Sequence, residues 1–173
     1  MSAPGPGDLA PEIALPDDTG TIHRLADRRG RWTIVYFYPK DDTPGCTIES
    51  CQFRDADPAI RAEGADVWGI SPDGAASHRR FREKFGLPFT LLSDEGHVVA
   101  ERYGAWQLKT LYGTSSMGIQ RSSFLVDPDG RIARSWPKVK AEGHAAEVLA
   151  ELRALVAERS AGAEPTGAPE PEG

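Results

Sequence analysis

Residues 32–51 read Trp32-Thr-Ile-Val-Tyr-Phe-Tyr-Pro-Lys-Asp-Asp-Thr-Pro-Gly-Cys-Thr-Ile-Glu-Ser-Cys51. The opening run, Trp32 to Tyr38, is continuous and bounded by charged residues and Pro39, the pattern of a strand buried on both faces. A helix start comes next: Thr43 stands at the N-cap, Pro44 takes the first helical position and Cys46 falls in the first turn. Cys46 and Cys51 are the only cysteines in the chain. A thiol in a first turn lies close to unpaired backbone N–H groups and the positive end of the helix dipole, which favour thiolate and make the sulfur a nucleophile. The stretch therefore predicts a redox site at the end of a buried strand.

Working outward, Glu12–Leu15 and Thr21–Leu25 flank Asp17-Asp18-Thr19-Gly20 and predict an N-terminal hairpin. Asp66–Ile70 reads as a strand, Gly74–Phe85 as a helix closed by Gly86, and Phe89–Leu92 as another strand. Ser123–Val126 and Ile132–Trp136 flank Asp127-Pro128-Asp129-Gly130 and predict an antiparallel hairpin. A last helix over Ala141–Arg159 sets Ala145, Val148, Leu149, Leu152, Leu155 and Val156 on one face. The expected fold is one α/β domain over residues 8–159, with a central mixed sheet and helices on both sides. Residues 1–7 and 160–173, rich in Pro, Gly, Ala and Glu, are expected to be a flexible start and a disordered tail. In such folds the reactive crevice lies beyond the carboxyl ends of the parallel strands, where the Pro39–Cys46 segment falls.

With 173 residues, 39% of them hydrophobic, the chain is long enough for a single core. A formal charge of −6 argues against nucleic acid or an anionic membrane as partner. No apolar stretch approaches membrane-spanning length and the N-terminus does not read as a secretory signal, so a cytoplasmic location is expected. There a cysteine pair rests reduced, and a disulfide would be transient and catalytic. The histidines His23, His78, His97 and His144 have no ligand spacing with the cysteines, so no metal is expected. The run His78–Arg82 reads as a solvated helix face, and Tyr38, Trp106 and Met117 as core positions with a second reading as an apolar pocket rim.

Asp41, Asp42 and Glu49 oppose ionisation of a nearby thiol, so a cation is needed at the site. Arg121, directly before the strand Ser123–Val126, is the leading candidate, with Lys40 and Arg54 behind it; a surface arginine is the plain alternative. Gly45, lacking a side chain, leaves the backbone open to close approach by a small substrate.

The motif Tyr38-Pro-Lys-Asp-Asp-Thr-Pro-Gly-Cys-Thr47, with Glu49, Cys51, Phe53 and Arg54, and later Met117-Gly-Ile119 and Arg121-Ser-Ser-Phe124, closely resembles the peroxiredoxins, and within them the bacterioferritin comigratory protein or Q-type branch. The resemblance covers roughly Leu9 to Arg159 and implies a thioredoxin-like fold and thiol-dependent reduction of hydroperoxides, without a cofactor. It implies that Cys46 is the peroxidatic cysteine, that Thr43 hydrogen-bonds peroxide or thiolate, that Pro39 shields the pocket, that Arg121 polarises the peroxide, and that Glu49 orients Arg121. It implies that Cys51 resolves the sulfenic acid as an intramolecular disulfide and that thioredoxin or a similar dithiol reduces it. A resolving thiol in the same chain removes any need for a dimer, so a monomer is expected.

On an ideal helix, five residues mean roughly 7.5 Å of rise and Cα atoms on the order of 8.7 Å apart. A disulfide tolerates about 7 Å, so the pair cannot close until the helix between Thr43 and Phe53 unwinds. Two other classes stay open on sequence alone. A disulfide oxidoreductase on the same fold is disfavoured by the missing Cys-x-x-Cys spacing, and a redox-responsive binding protein would expose apolar surface when the helix opens.

Overall fold

The computed structural model describes residues 3–167. Strands β1 (Ala14–Pro16) and β2 (Ile22–Arg24) form the expected N-terminal hairpin. Strand β3 (Trp32–Phe37) is buried at every position and passes into helix α1 (Pro44–Ala62). Beyond it lie β4 (Ala65–Ser71), α2 (Ala75–Phe85) and β5 (Thr90–Ser93), then the short helix α3 (Val98–Arg102). Gly86 closes α2 with φ 61°, the left-handed conformation its sequence position predicts. A ribbon of β6 (Trp106–Leu111) and β7 (Thr114–Ile119) precedes β8 (Ser122–Val126), β9 (Ile132–Trp136) and the final helix α4 (His144–Gly167).

The central sheet has the order β5-β4-β3-β8-β9. β3, β4 and β5 run parallel, while β8 and β9 are antiparallel to their neighbours, so the sheet is mixed and β3 lies at its centre. Alternation along β3 feeds two cores. Trp32, Ile34, Tyr36 and Tyr38 meet Phe53 and Ile60 of α1, Phe81 of α2 and Val148 and Leu152 of α4. Val35 and Phe37 face the other way, against Ile13, Trp68, Val99, Tyr103 and Phe124. The sheet is therefore covered by the three longer helices on one side and by α3 and the N-terminal hairpin on the other.

Three features depart from the sequence expectations. The β6–β7 ribbon and α3 have no counterpart among them; the ribbon turns at Tyr112 and Gly113, both at positive φ, and its signal is the alternation Trp106-Gln-Leu-Lys before a Tyr-Gly turn. At the N-terminus, the Gly7 N–H donates to the Ile132 carbonyl and Leu9 bridges Arg131, so residues in the stretch expected to be flexible up to residue 7 are tied to β9. At the other end α4 continues about two turns past Arg159 to Gly167, into the stretch expected as a disordered tail; residues 168–173 of that expectation lie outside those described. Among the described residues no helix is long and apolar enough to cross a membrane.

Candidate active site

β3 ends at Phe37, and the loop through Pro39 and Asp42 delivers Thr43 to the N-cap of α1. This places Cys46, fully buried, in the first turn at the carboxyl end of the central parallel strands. Arg121 arrives from the junction between β7 and β8, beside β3 in the sheet. Its guanidinium donates from Nη2 to Cys46 Sγ at 3.4 Å and from Nη1 to Glu49 Oε1 at 2.7 Å. One forked cation thus joins a thiol and a carboxylate one helical turn apart. The Val139 N–H donates to the Arg121 carbonyl at 2.9 Å and ties the arginine's backbone to the strap before α4.

Glu49 is fully buried, and its second oxygen, Oε2, has no hydrogen-bond partner. Burial pushes its carboxyl up to about 7, with Arg121 pulling the other way and prevailing only in part. At Arg121, burial works against the charge, but Glu49 and the Cys46 sulfur outweigh it and hold the guanidinium above its ordinary value. The cation is therefore permanent while its carboxylate partner titrates near neutrality.

A Cβ at Gly45 would sit 3.0 Å from Arg121 Nη2, so the missing side chain makes room for the guanidinium. Thr43 holds the N-cap position but makes no side-chain cap; its hydroxyl donates to the Lys40 carbonyl at 2.8 Å. The hydroxyl hydrogen is spent there, which leaves its oxygen lone pairs as acceptors. Pro39 is half-buried at the head of the loop. The alternative cations do not serve: Lys40 is exposed, and Arg54 is bonded to Asp55 and the Phe85 carbonyl. Cys51 is half-buried on the next turns of the same intact helix, and both cysteines are free thiols.

Two of the three acids expected to oppose the thiol are engaged elsewhere, while the third, Glu49, is held by Arg121. Asp42 pairs with Lys84 of α2 at 2.8 Å, and Asp41 accepts from Tyr38, Ser77 and His78. One expectation is corrected here: His78 is fully buried rather than part of a solvated basic face. Tyr38 is a fully buried core residue, as expected, with its hydroxyl committed to Asp41. Of the other rim candidates, Trp106 stacks on His97 at 3.8 Å and Met117 is exposed. A Ser123–His144–Glu147 chain looks like a hydrolytic triad, with bonds of 2.8 and 3.0 Å. Ser123 is sealed in β8 with no exposure, so the chain braces α4 against the sheet.

Comparison with known proteins agrees with this geometry. Residues 6–135 match the model of the AhpC/TSA family. The chain belongs to that family of peroxiredoxins. It is 45% identical over 147 residues to peroxiredoxin Bcp of Bacillus subtilis, covering 85% of this chain and 94% of the relative. It is 48% identical over 146 residues to a putative peroxiredoxin bcp of Coxiella burnetii, covering 84% and 97%. Among solved structures it superimposes with a TM-score of 0.81, at 37% identity, on the Xanthomonas campestris bacterioferritin comigratory protein studied for alkyl peroxide reduction, covering 89% of this chain and 98% of that one. The mixed sheet flanked by helices is accordingly the thioredoxin-like peroxiredoxin fold, and this peroxiredoxin is a thiol-dependent peroxidase.

Proposed function

We propose that Cys46 carries the peroxidase reaction and that Cys51 completes it within the same chain. The observation behind this is the Arg121 guanidinium, which reaches the Cys46 sulfur at 3.4 Å while held by Glu49. A peroxide enters beside the first turn of α1, its O–H donating to the free lone pairs of Thr43 Oγ1 and its far oxygen facing Arg121. The Cys46 thiolate attacks the near oxygen: an S–O bond forms, the O–O bond breaks, and its electron pair leaves with the far oxygen. Arg121 stabilises that developing negative charge, and after taking a proton the oxygen departs as water or alcohol. Pro39 flanks the loop at the pocket.

Cys46 is then a sulfenic acid. The Cys51 sulfur displaces its hydroxyl group, forming S–S and releasing water, once the first turns of α1 unwind. A dithiol protein such as thioredoxin returns the pair to thiols and is itself oxidised to a disulfide. This chemistry suits a monomer in a reducing compartment such as the cytoplasm.

The test is stopped-flow reaction of reduced protein with one equivalent of hydrogen peroxide, then thiol count and intact mass. Loss of both thiols with a two-hydrogen mass decrease in the monomer, absent in Cys46→Ser, is the expected result. Thiols surviving for many minutes in the wild type would overturn the assignment.

A further inference from the structure

Within the loop between β3 and α1, the Thr43 hydroxyl is bonded to the Lys40 carbonyl rather than capping the helix, and Asp42 sits at φ 57°, in the less populated left-handed region. The anchor is Asp41. Its Oδ1 accepts the Tyr38 hydroxyl at 2.6 Å, and its Oδ2 accepts the Ser77 hydroxyl at 2.8 Å and faces His78 Nδ1 at 2.7 Å. The Asp41 N–H donates to Asp73 Oδ2 at 2.7 Å, and Ser71 donates to that same oxygen at 2.8 Å.

The other nitrogen of His78, Nε2, faces the Leu92 carbonyl of β5 at 3.0 Å. A carbonyl only accepts, so Nε2 carries a hydrogen. Asp41 accepts a hydroxyl hydrogen on each oxygen, as a carboxylate does; with Asp41 ionised, the hydrogen between it and the ring sits on Nδ1 and the ring is an imidazolium. The charged groups facing it are both acidic: Asp41 from the β3–α1 loop and Asp73 from the β4–α2 loop. Burial of the ring opposes its charge, but these partners outweigh burial and hold His78 above its ordinary value of 6.5.

We propose that the Asp41–His78 ion pair clamps the reduced active-site loop, and that His78 is a positioning residue setting how fast α1 opens for Cys51 to reach Cys46. The second half rests on the reading of Cys51 as the resolving thiol. While the clamp is closed, Cys46 sulfenic acid is held away from Cys51 and open to a second peroxide; release of the clamp favours the disulfide over the sulfinic acid.

The first measurement is amide hydrogen exchange across residues 39–53 of the reduced full-length protein, in wild type and His78→Gln. Exchange in this segment should accelerate roughly tenfold while β8 is unchanged, as expected for loss of a charge-assisted bond on one locally opening unit. Unchanged exchange, or equal acceleration in β8, would overturn the clamp. This arm uses no peroxide, so it stands or falls separately from the peroxidase reading. Quenched mass spectrometry then tracks the catalytic side. In His78→Gln the conversion of sulfenic acid to disulfide should speed up by a similar factor and the sulfinic acid yield at excess peroxide should fall; an unchanged conversion rate would refute control of resolution. Should His78→Gln not fold, nitrogen NMR of the wild-type imidazole decides: two protonated ring nitrogens at pH 7 support the ion pair, and one overturns it.

Discussion

The fit between Gly45 and Arg121 makes an unusually direct test at single side chains. Gly45→Ala would put a methyl group 3.0 Å from Nη2, so the guanidinium must give by a few tenths of an ångström beside the sulfur. A misplacement of a full ~1 Å costs on the order of a hundredfold in rate, so this smaller one should lower peroxide reactivity by about tenfold while the melting temperature barely moves. A stopped-flow rate beside a thermal melt separates the two. Glu49 makes a second test through pH. Its carboxyl titrates at about 7 when folded against an ordinary value of 4.5, so between those values the folded protein keeps a proton that the unfolded chain releases. Stability therefore falls as pH rises through this window. Glu49→Gln lacks that slope, and its unfolding free energy relative to wild type should climb by on the order of 3 kcal/mol from about pH 4.5 to about pH 8. Urea titrations at several pH values would show it; parallel curves for the two proteins would refute it.

On the proposed mechanism helix α1 has two incompatible tasks: intact, it presents Cys46 to Arg121, and opened, it would let Cys51 reach Cys46. Amide exchange over residues 43–53 should consequently be much faster in the oxidised than in the reduced protein, and equal protection would exclude unwinding. In Cys51→Ser the sulfenic acid has no partner, so intact mass after excess peroxide should show two or three added oxygens and no intramolecular disulfide. The loop before α1 adds a pH signature. His78 is raised in the folded state, so its contribution is complete below pH 6.5 and is lost as pH climbs through the raised value. Exchange in the loop, corrected for its intrinsic rate, should accelerate at alkaline pH in wild type and stay level in His78→Gln.

Across the molecule, the two cores on either side of β3 hold the site's parts in register, since Cys46 and Arg121 belong to different elements that the sheet brings together. α4 contributes to this without touching the chemistry. Leu152→Ala, at a fully buried position, should cost about 3 kcal/mol and lower the melting temperature by roughly 6–12 °C. Peroxide reactivity at room temperature should remain within about twofold of wild type, because the lost packing lies away from the reacting atoms. A large loss of activity in the folded variant would mean that α4 positions the site more tightly than its packing suggests.

Local order in the chain was enough for much of this. The run Trp32–Tyr38, the Thr-Pro-Gly-Cys helix start and the Asp-Pro-Asp-Gly turn are short-range patterns whose backbone preferences act within a few residues, and each element stands where they indicate. The motif around Cys46 named Glu49, and the stretch before the strand Ser123–Val126 named Arg121; the two are 72 residues apart in sequence and 2.7 Å apart in the fold. Tertiary structure decided which charges meet. No local pattern told that His78 would be sealed against Asp41, that Asp42 would be drawn to Lys84, or that Gly45 would make room for an arginine from the neighbouring strand. Those outcomes depend on distance and desolvation between elements, and both exist only once the sheet has brought the loops together.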